Sequence, residues 1–203
     1  MTAELMNATR GSGLLEGFLA NQRAKLADSL IPESARSGRI LDIGCGTTPL
    51  FLISTRFIEK HGLDKVLGAE IIRLQGSNII IHNYDIEQQK YLPYADEYFD
   101  VVTMLAVFEH IEPARLICVL KDVLRVLKPG GRYILTTPAA WTDSLLRFMA
   151  GLNLVSREEI NEHKGTYTHR KIIRLLRETG FSEGNIRCGY FEAYMNIWVS
   201  AAK

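Results

Sequence analysis

Two glycines separated by one residue, Gly44 and Gly46, follow a short apolar run that begins at Ile40. Thr48 and Pro49 come next; threonine can cap a helix, and the fixed φ of proline suits a first helical turn. The pattern therefore predicts a strand, a tight loop and a helix in succession. Because glycine reaches positive φ and leaves room for a ligand beside the backbone, the loop is predicted to form the floor of a binding site.

The segment Asp42–Thr47, Asp-Ile-Gly-Cys-Gly-Thr, resembles the first motif of class I S-adenosylmethionine-dependent methyltransferases. In that family the loop runs under the amino-acid end of the cofactor. The resemblance implies cofactor contacts from four residues: Asp42, Gly44, Cys45 and Gly46. Asp42 is expected to hold the loop by accepting hydrogen bonds from its amides. A dinucleotide-binding domain is the main alternative, but its fingerprint needs a third glycine or alanine where this chain has Pro49. An ordinary tight turn also fits a Gly-x-Gly sequence taken alone.

Two later acidic positions extend the resemblance. The second strand is predicted at 65–70, with Glu70 at its carboxyl end, 24 positions after Gly46 (70 − 46). A carboxylate can accept from both hydroxyls of a ribose, and this spacing is near that of the acidic ribose ligand in nucleotide-binding folds. By resemblance, Asp85 accepts from the adenine amino group and Ile86 packs on the ring. A solvated glutamate and an Asx-type loop aspartate are the alternatives.

The segment Leu92–Val102 resembles the stretch leading into the fourth strand of small-molecule methyltransferases. That strand is predicted at 101–105, so Leu105 and the residues up to His110 lie at the edge where open parallel sheets bind ligands. Leu105 is assigned to the cofactor site. His110 is the best-placed candidate for a general base because imidazole titrates near neutrality, although it could instead hold the loop through hydrogen bonds. Three further candidates lie in or near the predicted lid: His163, Tyr167 and His169.

Apolar periodicity and glycine or proline breaks predict the remaining elements. Helices are expected at 14–31, 50–60, 113–127 and 168–179, and further strands at 78–82, 132–137, 186–190 and 194–200. The gap between the last two strands is too short for a crossover helix, so they should be antiparallel. The helix end and turn at Arg125–Gly131 are also common among class I methyltransferases.

Together these elements predict an α/β fold with a Rossmann-like, doubly wound, seven-stranded sheet that is mostly parallel and ends in an antiparallel hairpin. Residues 1–203 are expected to form a single domain. Residues 1–38 form an N-terminal helical extension, and 139–167 a lid insertion over the acceptor pocket. One more packed helix at 141–154 is the alternative to the lid.

The composition limits the possible partners. The chain has 203 residues, 47% of them hydrophobic, which suffices for one domain with a substantial core. The net charge of +1 comes from 24 basic and 23 acidic residues, so no nucleic-acid partner is expected. Three widely spaced cysteines suggest no disulfide framework. Neither a signal peptide nor a span of about 18 apolar residues is evident, and a cytoplasmic location is expected.

The resemblance covers about Ile40 to Lys203 and implies an enzyme that uses S-adenosylmethionine and releases S-adenosylhomocysteine. The expected acceptor is a small, partly apolar organic molecule methylated on oxygen, nitrogen or carbon. The alternatives are an inactive S-adenosylmethionine-binding regulator and a protein or RNA methyltransferase; the near-neutral charge counts against RNA. No carboxylate and amide cluster follows the fourth strand, so no metal is expected. The oligomeric state stays open.

Overall fold

The computed structural model describes residues 16–65, 71–73, 77–142 and 163–203. The helices in these ranges are α1 Glu16–Ser29, α2 Leu50–Ser54, α3 Pro113–Val126 and α4 His169–Thr179. The strands are β1 Arg39–Ile43, β2 Glu59–Asp64, β3 Ile71–Arg73, β4 Ile79–Asn83, β5 Phe99–Leu105, β6 Leu127–Pro138, β7 Ile186–Phe191 and β8 Asn196–Ala202. Short 3-10 turns occupy Glu33–Ala35, Phe108–His110, Ala140–Thr142 and Glu183–Asn185.

All the described strands belong to one sheet, with the order β3-β4-β2-β1-β5-β6-β8-β7. The neighbouring pairs from β4 to β6 are parallel. β8 runs antiparallel to both β6 and β7, which confirms the predicted C-terminal hairpin. Six of the seven predicted strands are present. In place of the one predicted at 65–70 the described sheet has β2 at Glu59–Asp64, and β3 adds a short strand antiparallel to β4.

Helices cover both faces of the sheet, as a doubly wound fold requires. On β1, Ile40 belongs to a buried cluster with Ala27 of α1 and Leu52 of α2. Its neighbour Leu41 belongs to a second cluster on the opposite face, which includes Leu120 of α3 and other side chains of α3 and α4. Successive strand residues point to opposite faces, so β1 contributes to both halves of the core.

The N-terminal helix packs differently from the apolar stripe that its sequence suggests. α1 buries Ala24 and Ala27, whereas Phe18 is 61% exposed and Leu26 is only half-buried. Small alanine side chains allow the helix backbone to approach the sheet closely, so the contact face is set by side-chain size as well as hydrophobicity.

The prediction of a helix at 50–60 was wrong, and the strand predicted at 65–70 lies almost wholly outside the described residues. α2 ends at Ser54, and Thr55 is already extended, with φ −83° and ψ 158°. The buried Thr55 hydroxyl donates to Asp28 Oδ1 (2.6 Å) and accepts from Arg36 Nη1 (2.8 Å). These hydrogen bonds connect distant parts of the chain and hold the end of the helix.

The strand that follows, β2, has a polar composition, so its sequence lacks the apolar alternation expected of a strand. Lys60 is buried, yet its Nζ donates to the carbonyl of Leu52 at 2.9 Å. His61 Nε2 lies 2.7 Å from Glu59 Oε1. Because these polar groups find partners inside the fold, a sequence without an apolar alternation can still occupy the centre of a sheet.

The lid prediction falls largely outside the described residues. Only 139–142 and 163–167 of its range are described, and Ala139 pairs with Tyr167 in an isolated parallel bridge. In the described ranges, no helix has the length and apolar character needed to cross a membrane.

Candidate functional site

The carboxyl ends of β1 and β2 meet at a loop with two left-handed glycines. Gly44 has φ +76° and Gly46 has φ +73°. The amide of Gly44 donates to the carbonyl of Leu63 in β2 at 2.7 Å, and that of Gly46 donates to Asp64 Oδ2, also at 2.7 Å. The loop therefore turns across the end of β2, with backbone geometry that glycine adopts without strain.

The loop also contacts the segment after β5. A Cβ built on Gly44 would lie 3.2 Å from the Cβ of Val107 and closer still to its Cγ2. Ala106, at φ +56°, donates its amide to both the carbonyl (3.0 Å) and the hydroxyl (3.1 Å) of Thr136. Leu105, at the end of β5, is half-buried against the core. The predicted cofactor loop and the predicted acceptor edge are therefore in direct contact.

Asp42 lies beneath the loop, 4% exposed, and makes a contact that was not predicted. Its Oδ1 accepts from the hydroxyl of Thr103 at 2.6 Å. Burial raises the pKa of Asp42 to about 7; the charge of Asp64 also raises it, while the Thr103 hydrogen bond opposes the shift. The prediction that Asp42 holds the loop amides was wrong, because the described partners of those amides are the carbonyl of Leu63 and the carboxylate of Asp64.

Cys45 is buried within the core cluster on the α1 face, and its Sγ lies 3.5 Å from the carbonyl of Gly46. A Cβ on Gly62 of β2 would approach that sulfur to 2.5 Å. The thiol therefore fills space between β1 and β2, and Gly62 is the residue that leaves room for it.

Asp64 is an acidic residue of this edge that the sequence reasoning missed. It ends β2, is 9% exposed, and its carbonyl accepts from the amide of Tyr84 after β4 at 2.8 Å. Asp64 lies 18 positions after Gly46 (64 − 46), which is nearer to the usual spacing of about 20 than the 24 positions of Glu70 (70 − 46). Glu70 lies outside the described residues, and the strand that was to place it ends at Asp64.

Asp85 and Ile86 follow β4 at the same edge. Asp85 Oδ2 lies 3.0 Å from Lys65 Nζ, and Oδ1 accepts from the amide of Glu87 at 2.9 Å. Burial opposes ionisation of Asp85, but the hydrogen bonds with Lys65 and Glu87 outweigh it, so the pKa of Asp85 is lowered. The hydrogen bond from the Glu87 amide to Asp85 Oδ1 is that of an Asx turn. Ile86 is half-buried and packs against the core below.

Three side chains beyond β5 converge on the other side of the edge. Glu109 is 2% exposed, and its Oε2 accepts from the hydroxyl of Thr137 at 3.0 Å. The ring of His110 stands nearly perpendicular to that of His163, with centroids 5.0 Å apart. His163 reaches this place from a distant part of the chain. The structure therefore brings together two of the histidines singled out in the sequence and adds a buried carboxylate.

The other two base candidates lie elsewhere. Tyr167 is fully buried with its ring 4.7 Å from that of Phe108, and burial, with the nearby Glu109 charge, raises the pKa of Tyr167 to about 12. His169 faces the C-terminal hairpin, where its Nε2 lies 3.1 Å from the carbonyl of Gly189. The raised pKa of Tyr167 and the position of His169 at the hairpin therefore count against a role as general base at the strand edge.

Known proteins that resemble this chain in sequence are methyltransferases. A family model described as "Methyltransferase domain" matches residues 15–183. The tRNA N(3)-cytidine methyltransferase METTL2 of Gallus gallus is 28% identical over 145 residues, 66% of this chain and 39% of that protein. The ubiquinone/menaquinone biosynthesis C-methyltransferase UbiE of Azotobacter vinelandii is 32% identical over 124 residues, covering 55% and 46%. The chain thus spans less than half the length of these two relatives.

Solved structures share the fold at low sequence identity. A possible histamine N-methyltransferase from Thermotoga maritima superposes with a TM-score of 0.65 at 19% identity, covering 94% of this chain and 91% of that one. Phosphoethanolamine N-methyltransferase 2 of Haemonchus contortus, crystallised with S-adenosylhomocysteine, has a TM-score of 0.63 at 15% identity, covering 90% and 53%. The predicted Rossmann-like fold is therefore confirmed.

Proposed function

Because the chain belongs to the methyltransferase domain family, we propose that it transfers the methyl group of S-adenosylmethionine to oxygen, nitrogen or carbon of a small organic acceptor. The observation that carries this proposal is the glycine loop after β1. Gly44 and Gly46 are both left-handed, and the Gly46 amide is held by Asp64 at the end of the neighbouring strand. Such a loop offers close backbone approach at the strand edge where open α/β sheets bind ligands.

In the proposed complex the amino-acid end of the cofactor lies over Gly44, Cys45 and Gly46, with Asp42 buried beneath them. Asp64 replaces Glu70 as the residue placed beside the ribose, because it is Asp64 that ends β2. A carboxylate supplies acceptor oxygens for the ribose hydroxyls. Glu70 stays a prediction.

The far end of the cofactor is assigned to the loop after β4. Asp85 would accept from the adenine amino group, and Ile86 and Leu105 would pack against the cofactor. The Asx turn fixes Asp85 through one carboxylate oxygen, while its other oxygen pairs with a half-exposed lysine, Lys65. That arrangement holds the loop in place, and the lowered pKa of Asp85 favours the ionised carboxylate, which acts only as an acceptor.

Methyl transfer from a sulfonium is an in-line displacement that needs little activation of the donor. Orientation of the reactants alone can supply effective molarities of about 10⁵ M or more. The contact between the Gly44 loop and Val107 sets the distance between the two halves of the site. His110 is the predicted general base for an acceptor that must lose a proton.

A small acceptor is favoured over RNA, although one relative is a tRNA methyltransferase. The net charge of +1 provides no broad attraction for phosphates, and a second relative, 29% identical over 67% of this chain, is a ubiquinone biosynthesis O-methyltransferase of Stutzerimonas stutzeri. A methylated RNA product in an assay with total tRNA would reverse this preference.

The cofactor assignment is tested by titration calorimetry of the purified protein with S-adenosylhomocysteine, with NAD as the control. Micromolar binding of the first and none of the second is expected. Binding of NAD instead would contradict the proposal. Incorporation of labelled methyl groups from S-adenosylmethionine into candidate acceptors would then separate an active enzyme from a regulator that only binds the cofactor.

A further inference from the structure

We propose that Glu109, His110 and His163 bind a divalent transition-metal ion, of which zinc is the probe of choice, at the acceptor side of the strand edge. The role of that ion in methyl transfer rests on the proposed function, whereas the metal site itself does not. The sequence pattern predicts no metal here because the decisive third side chain, His163, is far from the other two along the chain.

The geometry suits coordination. One ligand atom from each side chain, an imidazole nitrogen or a carboxylate oxygen, lies within 4.8 Å of the other two. Ligands that are each about 2 Å from one ion are at most about 4 Å apart, so a small side-chain adjustment would close the set. The nearly perpendicular rings of His110 and His163 allow a nitrogen of each to face a common point.

The environment of two of the ligands favours an ion. His110 Nδ1 is buried and has no hydrogen-bond partner among the described residues. Glu109 is almost completely buried, and its described side-chain partner is the neutral hydroxyl of Thr137. A buried polar nitrogen and a buried carboxylate are both costly unless they are paired. A cation bound between them would satisfy both.

The segment that carries His163 is anchored to the residue it must meet. The amides of Lys164 and Gly165 donate to the carbonyl of Glu109 at 2.8 and 3.3 Å. The Lys164 ammonium contacts both carboxylate oxygens of Glu87, at 2.9 and 2.8 Å, and lies 3.4 Å from Glu112. Thr137 orients the Glu109 carboxylate in the same way that outer-shell hydrogen bonds orient metal ligands elsewhere.

The ligand set indicates the class of metal. Two imidazoles and one carboxylate form a borderline-soft set that binds zinc and similar first-row divalent ions, as in zinc sites that keep a position open for water or substrate. Magnesium and calcium prefer sites made only of oxygen. Three protein ligands leave at least one position for an oxygen of the acceptor.

The chemistry that follows is methylation of a hydroxyl group. An acceptor hydroxyl bound to the ion loses its proton to water more readily, because the metal lowers its pKa. Its oxygen then attacks the methyl carbon, the carbon–sulfur bond breaks, and its electron pair stays on sulfur, which gives the methyl ether and S-adenosylhomocysteine. In this arrangement His110 is a metal ligand and not a general base.

The test is zinc binding to the full chain after treatment with a chelator and dialysis, measured by calorimetry with zinc chloride and by metal analysis of the dialysed complex. Wild type should bind one zinc ion at this site. His163→Ala, His110→Ala and Glu109→Gln should each weaken that binding by at least about 100-fold, because loss of an outer-shell partner alone costs about 10- to 100-fold. His169→Ala, which removes a histidine at the hairpin, is the matched control and should bind as wild type does.

Circular dichroism of each variant establishes whether it is folded. If one of the three ligand variants does not fold, the other two still test the site. No zinc binding by wild type, or equal affinity in wild type and the folded ligand variants, would overturn the site. Titration with S-adenosylhomocysteine on the same samples separates the two proposals. Binding of S-adenosylhomocysteine without binding of zinc would support the proposed function and contradict the metal site. Binding of zinc without binding of S-adenosylhomocysteine would support the metal site and contradict the proposed function.

Discussion

Replacement of Gly44 by alanine should separate the two physical reasons for a glycine at this position. The first is its φ of +76°, which costs an L-residue about 1–2 kcal/mol. The second is steric, because the new Cβ would overlap Cγ2 of Val107 and lie 3.2 Å from its Cβ. Valine is stiff at χ1, and rotation would not move its Cβ, so overpacking should add about 1–3 kcal/mol. The expected total loss of stability is about 2–5 kcal/mol.

Gly130 provides a matched control for the first reason. It has nearly the same φ, +75°, but a Cβ there would meet nothing within 4 Å. Gly130→Ala should therefore lose only the conformational part, about 1–2 kcal/mol. The effect of alanine on the unfolded chain is common to both variants and cancels in their difference.

Equilibrium urea unfolding measures these losses, provided that the transitions are two-state. A double-mutant cycle adds Val107→Ala alone and Val107→Ala combined with Gly44→Ala. The double variant should recover most of the stability that Gly44→Ala loses through steric overlap. Equal losses for Gly44→Ala and Gly130→Ala, or no recovery in the double variant, would refute the close contact between the two loops. The folded Gly44→Ala protein should also bind S-adenosylhomocysteine more weakly.

Two other predictions concern the acidic residues below the loop. An unfolded aspartate titrates near pH 3.9, whereas the pKa of Asp42 in the fold is about 7, so its contribution to stability is complete below about pH 4 and is lost as the pH rises to 7. Asp42→Asn should therefore gain stability relative to wild type across that range, by up to about 4 kcal/mol in urea unfolding, and a difference independent of pH would contradict the buried carboxyl. Asp64→Asn should weaken S-adenosylhomocysteine binding by about 10- to 100-fold, the usual worth of a charged hydrogen bond, and Glu70→Gln should weaken it less. The opposite order in calorimetry would return the ribose role to Glu70.

Asp42 and Asp64 illustrate how two carboxylates share the space under one loop. Asp64 accepts from the Gly46 amide, while Asp42 is satisfied by a neutral hydroxyl, that of Thr103. Repulsion from Asp64 adds to the desolvation of Asp42. The loop is therefore held by the carboxylate at the end of β2, and the buried one on β1 is the group that pH should affect.

The errors in the predicted elements have one physical origin. The segment from Thr55 to Asp64 lacks the apolar alternation that marks a strand. It can still form a buried strand because its polar groups find hydrogen-bond partners elsewhere in the chain. Lys60 donates to the Leu52 carbonyl, and Thr55 contacts Asp28 and Arg36. No local pattern reveals such partners, and as a result a helix was predicted to continue to residue 60 where the structure has β2.

Elements that depend on residues close together in the sequence were predicted correctly. Thr168 accepts from the amide of Lys171 at the start of α4, and Gly180 ends that helix at φ +113°, as their residue types predict. The glycine loop, the stripe of α3 and the short gap before β8 likewise follow from spacing along the chain. These features suffice for the fold class and, through the motif of Asp42–Thr47, for the family.

Tertiary structure alone decided which side chains meet. It selected Asp64 as the partner of the loop, put Val107 against Gly44, and brought His163 to Glu109 and His110. Hydrophobic periodicity carries the fold because burial acts on whole faces of helices and strands. A site depends on a few polar contacts between residues far apart in the sequence, and those distances exist only once the chain has packed.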